Sequence, residues 1–333
     1  MSYIRSSVSN GVGEIVLDRP KALNALDKTM VDDLFRILTN WAGDSTIDLV
    51  LVTSAHDRAF CAGGDIRAVS AAAAADDVST IYRYFDAEYE LNRLVARYPK
   101  PYVAVIDGVA MGGGLGISVH GQFRVVTENA VFAMPETAIG FFPDVGSTYF
   151  LPRLPAGVGL WLGLTGARIR GVDIVASRLA THYVPSVDLG ELTKGLRQGT
   201  EVSKLLDRWA GSGPPARLDL DALEEHFGDM PLTEIIDRLR NLTGVGWASE
   251  AVTQLNRASP TSLAVTARMI RLGASSTLEA CFERELRAAL QITRTHDFVE
   301  GVRAVLVDKD GAARFRPHRL ADVDRDLVAR IAG

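Results

Sequence analysis

Short apolar runs alternate with stretches of helical apolar spacing over about the first 190 residues of the chain. Glu14–Leu17, Leu49–Val52, Tyr102–Ile106, Phe123–Val126 and Ala130–Ala133 read as strands, the uninterrupted ones as buried strands. Between the first two, Met30, Leu34, Ile37, Leu38 and Trp41 form one apolar stripe, and Asp27 stands where a helix cap belongs. Val78 to Arg97 predicts a longer helix with Tyr82, Phe85, Tyr89 and Leu94 among its apolar positions. Leu160–Gly166 and Asp173–Leu179 predict shorter ones. Strand–helix alternation of this kind gives an α/β architecture.

The pattern changes after Gly211-Ser212-Gly213-Pro214-Pro215, the clearest break in the chain. Beyond it Leu232–Leu242, Trp247–Asn256, Thr261–Leu272 and Leu278–Thr295 all read as helices. Two consecutive regions are therefore expected, an α/β core over residues 1–205 and a helical region over 216–333. No internal repeat is visible.

Composition adds mostly exclusions. A charged fraction of 23%, a hydrophobic fraction of 47% and a net charge of −5 describe an ordinary globular protein without the basic stripe of a nucleic-acid binder. Cys61 and Cys281 are the only cysteines, so no disulfide framework is expected, and the six histidines show no zinc spacing. No apolar run approaches a membrane span, and Met1–Asn10 lacks the pattern of a secretory or transit signal. These readings make a cytoplasmic protein without a membrane partner the expectation.

Candidate chemistry lies in two glycine-bearing loops, each following a predicted buried strand. They are Ala62-Gly63-Gly64-Asp65 and Gly112-Gly113-Gly114, the second leading into an apolar stretch, Leu115–Val119, that reads as the start of a helix. Glycine lets backbone approach a ligand, and a helix start carries N–H groups without intrahelical acceptors. One N–H from each loop would make a two-donor oxyanion hole. Tight helix–sheet packing uses glycines in the same way, so the triplet alone leaves both readings open. Neither loop fits a dinucleotide or phosphate fingerprint, and there is no G-x-S-x-G elbow. His120 lies two residues from Ser118, a spacing at which helical side chains do not face each other, and reads as structural. Cys61 reads as a small packed residue.

Ala59–Ile66, Lys100–Gly108 and Met111–Gly116 together resemble the crotonase (enoyl-CoA hydratase/isomerase) superfamily. Ser118–Arg124, Met134–Gly140 and Phe142–Gly146 are similar to its 3-hydroxyisobutyryl-CoA hydrolase branch, and the likeness continues to Asp297–Ala304. The resemblance implies a spiral of ββα units, a helical C-terminal region that commonly takes part in assembly into a homo-oligomer, and an acyl-CoA ligand. It places the oxyanion-hole amides at Gly64 and Gly113, and Ala62, Asp65 and Ile66 along the coenzyme A path. Glu136 matches the catalytic carboxylate, Asp144 an acid near the acyl group, and Glu88 an acyl-pocket residue, with Glu90 close enough to confuse that register.

On composition alone Glu88 is a solvated helix charge, Asp144 a turn residue bonding nearby backbone, and Glu136 a surface or capping acid. Hydratases of the superfamily carry a second acid two residues beyond the glycine triplet, where this chain has Gly116. The resemblance thus implies hydrolysis of a short branched 3-hydroxyacyl-CoA, nearest to 3-hydroxyisobutyryl-CoA of valine breakdown, with no metal or redox cofactor. An enoyl-CoA hydratase or isomerase, or a non-catalytic acyl-CoA-binding subunit, are the alternatives.

Overall fold

The computed structural model describes residues 2–242 and 244–333. Ten strands are present among them: β1 Ile4–Ser9, β2 Val12–Leu17, β3 Leu49–Ser54, β4 Ala59–Cys61, β5 Tyr102–Ile106, β6 Val109–Met111, β7 Phe123–Val126, β8 Val131–Ala133, β9 Ile169–Arg170 and β10 His182–Tyr183. Their order repeats a ββα theme. β1 and β2 precede the helix Lys28–Gly43, β3 and β4 precede Ile66–Ala74, and β5 and β6 precede the single turn Gly113–Gly116.

The chain groups into two compact units, and they are interleaved along the sequence. One comprises Met1–Gly64, Glu90–Phe132 and Ile169–Leu218; the other comprises Asp65–Tyr89, Ala133–Arg168 and Asp219–Gly333. This differs from the consecutive regions 1–205 and 216–333 expected from the Gly-Pro break. That break marks where strands give way to helices, whereas compactness is decided by contacts between segments far apart in sequence, to which local pattern is blind.

The first unit holds the sheets. Six strands run in the order β1-β2-β3-β5-β7-β10, with β1 antiparallel to β2 and the remaining neighbours parallel. Asn10 and Gly11, both at positive φ (52° and 76°), close the β1–β2 hairpin as a primed turn requires. Pleating sorts the apolar runs. Leu49 and Leu51, Val103 and Val105, and Val125 join Leu192, Leu196, Leu205 and Trp209 in one buried cluster, which covers one sheet face with the helices Leu189–Arg197 and Val202–Leu206. The helix Lys28–Gly43 buries Met30, Leu34, Ile37 and Leu38, and Asp27 accepts from the Met30 N–H at 2.9 Å as the sequence implies.

A second sheet runs β4-β6-β8-β9. β4 and β6 pair in parallel, so both strands run out at the same end of the sheet. The residues that follow are Ala62-Gly63-Gly64 and Gly112-Gly113-Gly114.

The second unit is helical after Asp219. Helices occupy Leu220–Phe227, Leu232–Asn241, Gly246–Arg257, Pro260–Ala274 and Leu278–Ile292. The predicted helix 278–295 ends earlier because Thr295 caps a separate helix, His296–Val302, accepting from the Phe298 N–H. The most buried of these helices, Pro260–Ala274, starts at Pro260 with the Ser259 hydroxyl accepting from Ser262 N–H.

Candidate active site

The glycine loops are explained by their strands. The Leu26–Gly64 parallel bridge uses the Leu26 N–H, which donates to Gly63 O at 2.8 Å, so the pairing makes no use of the Gly64 N–H. At the neighbouring strand end Gly112 takes φ 44° and starts the turn Gly113–Gly116, whose first amides lack intrahelical acceptors. The helix predicted from Leu115 is only this one turn. Gly114 answers the packing reading: a Cβ there would stand 2.3 Å from the Cys61 carbonyl oxygen. Close packing thus accounts for Gly114, while Gly113 stands at the helix start. Cys61 is buried, its thiol 3.6 Å from Gly63 O, and belongs to the packing. Ala62 and Gly64 are partly exposed.

The acids belong to the second unit, and four of them are buried together with a tyrosine. Glu136 opens a 3₁₀ turn, Glu136–Ile139, immediately after Pro135. That turn is held closely. Ser259 N–H donates to Thr137 O, and Thr137 Oγ1 donates to Leu164 O. A Cβ on Gly140 would meet the Asp297 carbonyl oxygen at 2.1 Å, so the helix His296–Val302 lies directly against the turn. Asp297 itself is buried, accepting from Ser259 Oγ at 2.6 Å and Arg316 N–H at 2.7 Å.

Glu136 is only 8% exposed, and its Oε2 has no hydrogen-bond partner among the described residues. Burial, then the charges of Asp144 and Glu88, raise its carboxyl well above the usual range. Such an acid is either a proton donor or, once ionised, a poorly solvated and reactive carboxylate.

Asp144 is also buried and accepts from the Tyr89 hydroxyl at 2.7 Å. Burial pushes its carboxyl up to about 7, against the pull of that hydrogen bond. Glu88 is buried on the helix Val78–Ala96 with Oε1 unpartnered, and burial followed by the Asp144 charge raises it as well. Glu90, by contrast, is exposed and pairs with Arg93 at 2.9 Å. Asp65 and Ile66 open the helix Ile66–Ala74 and are partly exposed.

Two members of this cluster escaped the sequence reading. Tyr89 counts as an apolar helix position there, yet its hydroxyl is bonded to Asp144. Glu285, on the helix Leu278–Ile292, is fully buried and accepts from Gly146 N–H (2.7 Å), Thr148 N–H (3.0 Å) and Thr148 Oγ1 (2.6 Å). Burial pushes its carboxyl up to about 8, with Asp144 adding to the rise. An acid inside an amphipathic helix, more than a hundred residues from its partners, gives no local signal. No group of three or more His, Cys, Asp or Glu arranged to hold a metal ion occurs among the described residues.

These shifts carry a stability consequence. A carboxyl raised by folding favours the folded state below its unfolded value, and that advantage is lost as pH rises through the folded value. Asp144 and Glu285, moved from 3.8 to about 7 and from 4.5 to about 8, place the loss between about pH 4 and pH 8. Tm should fall by on the order of 5 °C from pH 5 to pH 9. Asp144→Asn should flatten that slope in a thermal melt series, and an equally steep slope in the variant would assign the effect to other groups.

The fold and the sequence have clear relatives. Residues 12–332 match the model of the enoyl-CoA hydratase/isomerase family. The chain is 43% identical over 330 residues to the mitochondrial 3-hydroxyisobutyryl-CoA hydrolase of Gallus gallus, covering 96% of this chain and 85% of that one. Among solved structures, it superposes with TM-score 0.92 on a carnitinyl-CoA dehydratase from Mycobacterium thermoresistibile, at 37% identity over 100% of this chain and 97% of the other. An enoyl-CoA hydratase from Rhodobacter sphaeroides gives the same TM-score at 36% identity, covering 99% and 97%.

The cytoplasmic expectation is corrected by the hydrolase relative, which is named as a mitochondrial enzyme. That expectation rested on the lack of a targeting pattern in Met1–Asn10, and ten residues are weak ground for a compartment. No helix among the described residues is long and apolar enough to cross a membrane. The match over nearly the whole chain and the shared fold lead to one conclusion: the chain belongs to the enoyl-CoA hydratase/isomerase (crotonase) family and, within it, to the 3-hydroxyisobutyryl-CoA hydrolase branch.

Proposed function

We propose that the protein hydrolyses the thioester of 3-hydroxyisobutyryl-CoA, releasing 3-hydroxyisobutyrate and coenzyme A, with Glu136 as the reacting carboxylate. The observation that carries this reading is the buried, partnerless Glu136 Oε2 in a cluster whose second acid, Asp144, is already engaged by Tyr89. The thioester carbonyl oxygen binds the amides of Gly64 and Gly113. Each such donor is worth about 3 kcal/mol as negative charge builds on that oxygen. Ionised Glu136 then attacks the carbonyl carbon to give a mixed anhydride that water opens, or it takes a proton from the attacking water. In the first route the carbon–sulfur bond breaks as the anhydride forms, and the thiolate takes its proton from the water that opens the anhydride; in the second, Glu136 passes the proton taken from water to the leaving sulfur.

Asp144 accepts the substrate's 3-hydroxyl, and Glu88 borders the acyl chain. Ala62, Asp65 and Ile66 line the way of the coenzyme A moiety. All of these steps use amides and carboxylates of this chain. A pure binding subunit has no need for three buried acids whose mutual repulsion and desolvation disfavour folding. The identity to a named 3-hydroxyisobutyryl-CoA hydrolase supports the substrate.

Thiol release measured across a small acyl-CoA panel tests the reading. 3-Hydroxyisobutyryl-CoA should turn over at least about 10-fold faster than isobutyryl-CoA, because a buried acceptor left without its hydroxyl is costly. Asp144→Ala should erase most of that preference. Equal loss on both substrates would assign Asp144 to general chemistry or to the folding of its turn.

A further inference from the structure

The Asp144 turn is strained, and a buried acid bonds the residues that follow it. Val145 takes φ 54° and Gly146 φ 81°, two consecutive residues in the left-handed region. For a β-branched residue that conformation is an outlier, and it persists only where the surroundings over-determine it. Glu285 is part of those surroundings. Its Oε2 accepts from Gly146 N–H, and its Oε1 accepts from both the N–H and the hydroxyl of Thr148. Three donors converge on one carboxylate from the residues just after Asp144, an arrangement that successive turn amides make for an anion. Asp144 O accepts from Ser147 N–H at 2.9 Å, so the clamp and the acid share one turn.

Stability alone does not account for this acid. Among the described residues no cation is bonded to Glu285, whose partners are two amides and a hydroxyl, and its electrostatic neighbour Asp144 is another carboxylate. A buried acid next to an acid is an unfavourable way to fill a helix–turn contact, and apolar side chains of the same volume usually do as well or better. What a carboxylate offers here, and an apolar residue does not, is a bidentate hold on two backbone amides of a strained turn.

We propose that Glu285 is a positioning residue that fixes the Phe142–Gly146 turn, so that Asp144 meets the 3-hydroxyl of the substrate while bonded to Tyr89. The proposal deepens the functional reading above and rests on the role given there to Asp144. Selectivity for the hydroxylated acyl group is then set from the helix Leu278–Ile292, through the backbone, by a residue that itself touches no substrate.

The test uses the full chain and two thioesters, 3-hydroxyisobutyryl-CoA and isobutyryl-CoA, with kcat and KM measured separately by thiol release. Glu285→Gln keeps the shape but replaces one acceptor oxygen with an amide that cannot receive an N–H. Its kcat/KM should fall about 10-fold or more on the hydroxylated substrate and less than about 3-fold on isobutyryl-CoA. In the background of Asp144→Asn the same substitution should change the ratio no further, because it acts through Asp144. Thr148→Val removes one donor and leaves the acid in place, and it should lower the ratio about 3-fold. It decides the matter should Glu285→Gln fail to fold.

A collapsed ratio in Asp144→Asn with unaltered ratios in Glu285→Gln and Thr148→Val overturns the positioning role alone. Equal losses on both substrates do the same, by making the clamp merely structural. An unchanged ratio in Asp144→Asn overturns the assignment of Asp144, and this proposal with it.

Discussion

Glu136→Gln should lower kcat by at least about 100-fold while leaving the thioester bound with nearly unchanged KM. Glutamine has the size of glutamate and can keep the contacts of the 3₁₀ turn, so the turn should fold as before. It carries no ionisable oxygen, and therefore offers neither a nucleophile nor a base. The partnerless Oε2 of Glu136 is the atom that would be lost, and no other oxygen of the turn replaces it. Relief of a buried charge should also make the variant no less stable than the parent, so low activity cannot be blamed on unfolding. Thiol release on purified protein, with far-ultraviolet circular dichroism alongside, reads both halves. A folded variant that kept more than half of the parent kcat would remove Glu136 from the chemistry.

How much of this site the sequence announces depends on the distance over which each feature is encoded. The strands β3 and β5 are legible because they are buried on both faces and show as unbroken apolar runs. β1 is not, since five of its six residues are exposed and its Ser-rich string matches a loop. The glycine loops are legible as glycine clusters that follow buried strands, and the parallel pairing of β4 with β6 explains why both start from the same end of the sheet.

Individual acids are legible only through resemblance. Glu88 and Glu90 are indistinguishable by local pattern, and burial alone separates them. Glu285 and Tyr89 are invisible for a deeper reason. Each has a helix position that is ordinary in its own window, and each acquires a role from a partner that only the fold supplies. The interleaving of the two units has the same origin, because Asp65–Tyr89 and Ala133–Arg168 join Asp219–Gly333 by contacts that no nearby residue reports.

The hydrolase and hydratase readings separate most sharply at Gly116. Solved relatives of equal TM-score carry hydratase and dehydratase names, so fold alone does not choose between them. Hydration of an enoyl thioester delivers a water oxygen to Cβ and a proton to Cα, a task suited to two carboxylates holding one water. In the superfamily pattern the second of these follows the glycine triplet by two residues, and here that place is a buried glycine in the turn Gly113–Gly116. Asp144 does not substitute for it in kind. It comes from a different turn, and one of its oxygens already accepts the Tyr89 hydroxyl.

Attack at the carbonyl needs only one reacting carboxylate and the two amides. On one enzyme preparation, crotonyl-CoA and methacrylyl-CoA should therefore lose their enoyl absorbance at least about 100-fold more slowly than 3-hydroxyisobutyryl-CoA releases free thiol. Ultraviolet absorbance follows the first reaction and a thiol reagent the second. Fast loss of enoyl absorbance with negligible thiol release would overturn the hydrolase assignment and leave the protein a hydratase on the same scaffold.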